Sequence, residues 1–583
     1  MGPGLWLAVA CFRGAIPGAE GEPGGIDASD GASAARVREP HLQLTAIHVG
    51  GTIVGRIAFG APGAQARLWL GHPGPDGLRG AREIGGTTLD ADGTARVEVP
   101  TPASVADGAT LGLQVEVDGV RSNVVERTVG AGSGPLGSNV LVVLLDDVGT
   151  DKLALYGSTN PAFTPTIDAL AASGVTFDTV YTRPVCQPAR AALITGRHGR
   201  RTGLGTNWHT NDPWELGLEQ ITLAELVSLS PYASWTSSYV GKWHLGSDVA
   251  ASGFDHPTRQ GFGFYAGSFE NLFAESTGYE SYYDWLKVVD GVEVETTTYA
   301  TTDTIDDAIA RVGAMPEPWL LVVSPNAAHT PMDTPPAALV PTPATPGDGV
   351  QVRAVLQAAD TELARLFAAI PPEVYARTTV FLTADNGTHR AYVQEPATFD
   401  RAKGTLMDGG IRVPLIVAGA GVTAVGARSP ALVDLVDLFP TIAELAGVEL
   451  AGLSSVLDPA APYALDGRSL VPQLSEPAAP NGRRYLYSEL FGPPGPGPYT
   501  DVDRQVIRDD RFKLWVDNQT GRHMLFEYLP GAPDEGDDLV GCGLDAERQA
   551  AHDRLEAALA AATAELRFDA DPMPIRELDT GHV

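Results

Sequence analysis

The chain has 583 residues, 44% of them hydrophobic and 19% charged, with a formal net charge of -32 at pH 7. That length supports two or three cores, and the composition is that of an ordinary globular protein rather than a disordered one. The acidic balance argues against nucleic acid as a partner, because no basic tract is present to neutralise phosphates, and an anionic substrate must be drawn in by a local positive pocket. Three cysteines, Cys11, Cys186 and Cys542, are too few and too scattered for a disulfide framework or a zinc site.

Residues 1–40 are rich in Gly, Ala, Pro and acidic side chains and read as a flexible leader. Within it, residues 5–10 form an apolar run ending before Cys11, as in an export signal or a lipoprotein leader. The run is short and no Lys or Arg precedes it, so an export signal and a meaningless apolar start both stay open. A periplasmic, secreted or lipoprotein-anchored location is favoured over a cytoplasmic one, and no later segment is apolar enough to span a bilayer. Across 41–131 the pattern turns to strands. Residues 95–99 and 111–117 alternate apolar with polar, and Asp92-Gly93 and Asp118-Gly119 mark turns, which predicts a small antiparallel β-sandwich serving as an accessory module.

After a Gly-rich linker at 131–135 the texture changes over 136–475. The runs 140–145, 319–323, 379–382 and 414–417 are apolar on both faces, as buried parallel strands are, and helical spacing appears between them, for example over 352–370. The alternation predicts an α/β domain with a doubly wound, mostly parallel sheet, which places its ligands beyond the carboxyl ends of the strands. Over 480–583, short strands at 485–487, 505–507, 513–515 and 524–526 and a helix over 546–568 predict a small C-terminal α+β subdomain.

The residues that carry chemistry cluster at those strand ends. Asp146 and Asp147 follow the first buried run, and Asp385 and Asn386 follow another. Adjacent carboxylates repel unless a cation or an arginine lies between them, and this all-oxygen set suits Ca²⁺ or Mg²⁺. Cys186 precedes Pro188, which can start a helix, and Arg190 lies one turn on; a helix N-terminus favours an anion. Lys242 and His244 are two apart in Gly241-Lys-Trp-His-Leu-Gly246, His329 follows a buried run, and Lys403 leads into a Gly-rich segment. Taken singly, each has a bland reading: a turn, a core histidine, a surface lysine.

Taken in order, Asp-Asp, Cys-x-Pro-x-Arg, Gly-Lys-Trp-His, a mid-chain His, Asp-Asn-Gly and Lys before Gly-Gly-x-Arg-x-Pro resemble the sulfatase family from about residue 139 to 470. Gln187 and Ala189 depart from the small and hydroxyl residues usual in that signature. The resemblance implies an alkaline phosphatase-like core and an arylsulfatase-type hydrolase that releases sulfate from its esters. It implies Ca²⁺ held by Asp146, Asp147, Asp385 and Asn386, with position 186 beside it. It also implies that Cys186 is converted by a formylglycine-generating enzyme to formylglycine, whose hydrate has one hydroxyl to attack sulfur and a second to expel sulfate. Arg190 would then hold the diol, Lys242 and Lys403 the sulfate oxygens, His244 would take the proton, and His329 would serve the leaving oxygen. The expected substrate is a small sulfate ester or a sulfated glycan. A phosphonate or phosphate ester hydrolase of the same superfamily and a catalytically silent carbohydrate-binding protein are the alternatives.

Overall fold

The computed structural model describes residues 41–44, 52–58, 64–74, 77–89, 95–100, 110–117, 120–121, 125–128, and then 139–566 apart from 209–211, 231–234, 275–278, 344–348, 395–397, 452, 454–462 and 530–534. The leader with Cys11, the linker at 131–135, His209 and the side chain of Cys542 lie outside what is described. Contacts divide the chain into two compact units.

The smaller unit holds the N-terminal strands. His41–Leu44, Thr52–Ala58 and Ala95–Pro100 form one antiparallel sheet. Gly77–Thr88, Gln65–Gly74 and Thr110–Val117, extended by Val120–Arg121 and Val125–Thr128, form another. Ala66, Leu68 and Leu70 are buried while Gln65 and Arg67 between them are exposed, the period expected of a strand with one wet face.

The larger unit is built on a ten-stranded mixed sheet. In chain order its strands are β1 (Asn139–Leu145), β2 (Gly174–Tyr181), β3 (Thr236–Gly241), β4 (Tyr265–Gly267), β5 (Trp285–Val289), β6 (Val292–Thr296), β7 (Trp319–Ser324), β8 (Thr378–Ala384), β9 (Leu415–Gly419) and β10 (Ala427–Asp434). They lie side by side as β6-β5-β4-β3-β7-β1-β8-β9-β2-β10. The centre, from β4 through β8, is parallel. Every residue of β1, β7 and β8 is buried, so both faces of the centre are covered. Helices Pro165–Ala172, Ala300–Ala314 and Val350–Ala369 pack on one another, as do Cys186–Thr195, Leu223–Ser228 and Leu438–Leu445. This is the alkaline phosphatase-like α/β arrangement.

One strand runs against expectation. The 414–417 run is buried on both faces but forms β9, which is antiparallel to both neighbours. Burial decides the apolar pattern; strand direction leaves no mark on it. In the same unit, Leu486–Gly492, Val502–Arg508, Phe512–Asp517 and Arg522–Glu527 form an antiparallel meander, with a hairpin turn at 509–511, followed by the helix Ala546–Ala564. Leu555 and Leu559 of that helix pack with Leu514, Val516 and Leu525 of the meander.

Candidate active site

Register delivers the site. Ala384 of β8 lies opposite Leu145 of β1, and Gly241 of β3 opposite Ser324 of β7. The segments that follow these residues therefore leave the sheet at one edge. Asp146 N–H donates to the Ala327 carbonyl at 3.0 Å, and Asp385 N–H donates to the Leu145 carbonyl at 3.0 Å, which stitches three of them together. Cys186 is the first residue of the buried helix Cys186–Thr195, and Val185 before it is extended with no side-chain cap. At that end Gln187 N–H donates to Asn207 Oδ1 at 3.1 Å, and the helix dipole favours negative charge beside the cysteine.

The side chains converge on Cys186. Its Sγ lies 3.6 Å from Asp146 Oδ1 and 4.0 Å from Asp147 Oδ1, with Lys242 Nζ at 3.7 Å and Lys403 Nζ at 3.3 Å. Lys242 pairs with Asp146 at 2.7 Å and Lys403 with Asp147 at 2.5 Å. The Arg190 guanidinium reaches Asp385 at 3.0 Å, Asp146 at 3.4 Å, Ser324 Oγ at 2.8 Å and the Lys242 carbonyl at 2.6 Å. Three cations thus face three carboxylates with almost no water contact. Burial opposes charge on Asp146, but Lys242, His329, Arg190 and Lys403 outweigh it and hold its carboxyl well below the usual range. Burial, together with Asp385, pushes the Cys186 thiol up.

Asp385 is already engaged at both oxygens: Oδ1 accepts from the backbone N–H of Asp147 at 3.1 Å and of Asn386 at 2.7 Å, and Oδ2 accepts from Arg190. Asn386 donates to Asp147 Oδ1 at 2.7 Å. Asp147 Oδ2 and Asn386 Oδ1, both buried, accept no hydrogen bond. Such atoms are costly unless something else meets them, and oxygen donors of this kind suit a hard divalent cation. Asp146, Asp147, Cys186 and His329 each offer an atom within 4.8 Å of all the others, so His329 also stands at this candidate cation position.

The two histidines differ. His329 Nδ1 faces the Thr330 carbonyl at 2.6 Å, and because a carbonyl only accepts, the proton sits on Nδ1 and the lone pair of the neutral ring on Nε2. Burial, Lys242 and Lys403 press its pKa down to about 4. His244 is buried with no hydrogen bond at Nδ1, and burial plus Lys242 and Arg190 hold it well below the ordinary imidazole value. Backbone strain marks the same place. Asp147 and His244 have φ of 58° and 57°, a region that β-carbon-bearing residues seldom occupy and that recurs at functional sites.

All ten positions expected from the sequence meet here, and the structure adds four that hold them. Tyr239 donates to the Lys242 carbonyl at 2.7 Å, Thr182 Oγ1 to the Asp385 carbonyl at 2.7 Å, and Tyr282 to the carbonyls of Asn326 and His329 at 2.8 and 2.9 Å; Ser324 receives Arg190. Ser324, a polar residue closing an apolar strand, was legible; the others carry no local signal. Trp285 is buried, and His198 is buried against Tyr487, with its backbone N–H donating to Asp466.

Residues 138–448 match the model of the sulfatase family. The chain belongs to that family. N-acetylgalactosamine-6-sulfatase of Sus scrofa is 31% identical over 376 residues, covering 59% of this sulfatase and 67% of its own chain. Arylsulfatase A of Bos taurus is 29% identical over 424 residues, covering 66% and 76%. Among solved structures, a protein in complex with k-i-k-neocarrahexaose aligns with a TM-score of 0.61 at 23% identity over 74% of this chain and 95% of its own. Another, solved with its substrate D-glucosamine-2-N,6-O-disulfate, aligns with a TM-score of 0.57 at 19% identity over 75% and 100%. These structural likenesses concern the fold. The sulfatase is accordingly an enzyme of the alkaline phosphatase-like α/β class.

Proposed function

We propose that this sulfatase hydrolyses sulfate monoesters, with Cys186 matured to formylglycine and a divalent cation, Ca²⁺ rather than Mg²⁺, held by Asp146, Asp147, Asp385 and Asn386. The observation that carries this reading is the placement of Cys186 Sγ within 4.0 Å of two lysine ammonium groups and two aspartates. The unmatched Asp147 Oδ2 and Asn386 Oδ1 support the cation. When bound, the ion supplies Lewis-acid polarisation of a sulfate oxygen, and the formylglycine hydrate supplies two hydroxyls on one carbon.

The chain's own residues do the rest. Lys242 and Lys403, already flanking position 186, neutralise the sulfate oxygens as charge gathers in the transition state. Arg190 orients residue 186 through the carboxylates and the Lys242 carbonyl it binds. His244, with Nδ1 free, takes a proton from position 186. His329 gives one to the leaving oxygen only when doubly protonated, since its Nδ1–H is committed to Thr330, and an anionic substrate favours that form. A sulfated glycan is the proposed substrate class, supported by the N-acetylgalactosamine-6-sulfatases and by the structure solved with D-glucosamine-2-N,6-O-disulfate that this chain resembles.

Mass spectrometry of the peptide containing Cys186, from protein made with a formylglycine-generating enzyme, tests the nucleophile; an intact thiol in active enzyme sinks it. Parallel assays with nitrophenyl sulfate, phosphate and phosphonate separate the reading from a phosphorus-ester hydrolase, since three cations against three carboxylates do not by themselves choose between the anions.

A further inference from the structure

Lys403 sits on a loop that is held from outside the site, by one residue acting at both ends. At the near end, Arg401 donates to the Glu535 carbonyl at 2.7 Å. At the far end, Asp408 N–H donates to the Glu535 carboxylate at 2.8 and 3.1 Å. Glu535 is almost fully buried, and Lys513 of the meander strand Phe512–Asp517 neutralises it at 3.4 Å while pairing with Asp408 at 3.0 Å. Between the two anchors, Leu406 and Met407 pack into the apolar cluster of the terminal meander, with Leu490, Trp515 and Phe526.

The anchored segment touches the chain just after Asp385-Asn386 and the approach to Cys186. Lys403 N–H donates to Thr388 and Gly404 N–H to Pro184, two residues before Cys186. The turn that starts at Asp408 receives Gly387 N–H on the Gly410 carbonyl at 2.9 Å and Thr182 N–H on the Ile411 carbonyl at 2.9 Å. That approach is so close that a β-carbon on Gly387 would meet the Gly409 carbonyl oxygen at 2.0 Å. Displacing the loop therefore displaces an ammonium group that lies 3.3 Å from Sγ.

We propose that Glu535 is a positioning residue for Lys403: by clasping both ends of the loop 401–408 it fixes the ammonium group against position 186. The contacts of Glu535 with Arg401, Asp408 and Lys513 include none of the ten site positions, and it lies beyond the span matched to the family model. The inference rests on the reading of Lys403 as a sulfate-binding lysine. A glutamine in its place keeps the acceptor for Asp408 N–H, and Lys513 keeps Asp408 as its counter-ion; an alanine loses the far anchor.

The test is a double-mutant cycle on kcat/KM, using whichever nitrophenyl ester the wild type cleaves. Glu535→Ala is expected to lower kcat/KM about tenfold in the wild-type background and less than about twofold in a Lys403→Ala background, because an effect transmitted through Lys403 vanishes with it. Glu535→Gln is expected to stay within about threefold of wild type on the same scale. An equal loss in both backgrounds, or no loss at all, overturns the proposal. If Glu535→Ala does not fold, Arg401→Ala, at a half-exposed position, removes the near anchor and decides the same cycle. A wild type inert to all three esters excludes small aryl esters as its substrates and leaves the glycan reading standing. The cycle is then read on the Kd of inorganic sulfate by calorimetry, with the same criteria, and no sulfate binding by the wild type overturns both.

Discussion

Two buried charge clusters lie in the larger unit, made from much the same side chains. Around Cys186, Lys242, Lys403 and Arg190 face Asp146, Asp147 and Asp385. Around Asp408, Lys513 and Arg508 face Asp408 and Glu535, with Tyr181 and Tyr528 donating to Asp408 Oδ1. Composition does not tell them apart, but satisfaction does. In the first, Asp147 Oδ2, Asn386 Oδ1 and His244 Nδ1 go unmatched and two residues hold left-handed backbone. In the second, Asp408 Oδ2 alone accepts no hydrogen bond, and it faces Arg508 at 3.8 Å. A buried polar group without a protein partner is a cost that a water or a ligand offsets, so the first cluster keeps acceptors open to a ligand and the second holds itself closed.

Charge-removing substitutions should separate the two. Asp147→Asn is expected to lower kcat on nitrophenyl sulfate by about 10³-fold or more, since it removes a charge aimed at the proposed cation, while apo-protein Tm falls little, because the lost counter-ion of Lys403 is offset by relief of repulsion with Asp146. Lys513→Met should cost more stability, about 3 kcal/mol in urea unfolding, because Asp408 and Glu535 are left buried without it. A Tm that fell as far in Asp147→Asn as in Lys513→Met would erase the distinction. Adding Ca²⁺ at about 100 times its Kd should stabilise the wild type by about 2.7 kcal/mol and leave Asp147→Asn nearly unmoved, read as a Tm shift and reversed by chelator. The smallest effect is expected at the helix start. Gln187 Oε1 accepts from Trp208 N–H at 2.7 Å, and Gln187→Ser should cost about 1 kcal/mol in chemical unfolding with kcat little changed.

The holding cluster was also the part the sequence concealed. Asp146-Asp147 and Asp385-Asn386 stood out because polar residues that end apolar runs contradict their surroundings, and Cys186 because Pro188 and Arg190 follow it at a helix start. Their convergence follows from register: Ala384 against Leu145 and Gly241 against Ser324 bring distant segments to one edge. Glu535 had no such contrast, lying in a polar stretch 127 residues from the Asp408 N–H it binds. Tyr239 and Tyr282 act through hydroxyl groups on otherwise ordinary aromatic positions, and β9 carries the apolar pattern of a parallel strand while running the other way. Periodicity records what is buried, not which long-range partner buries it.

The left-handed backbone at Asp147 sets two kinds of selection against each other. Glycine would relax that peptide by about 1–2 kcal/mol, so any search for heat-resistant variants that scores folding alone should enrich Asp147→Gly. The same change strips the carboxylate that Lys403 and Asn386 both touch. Directed evolution of this scaffold for robustness would therefore drift toward an inert protein unless every round also screened for turnover.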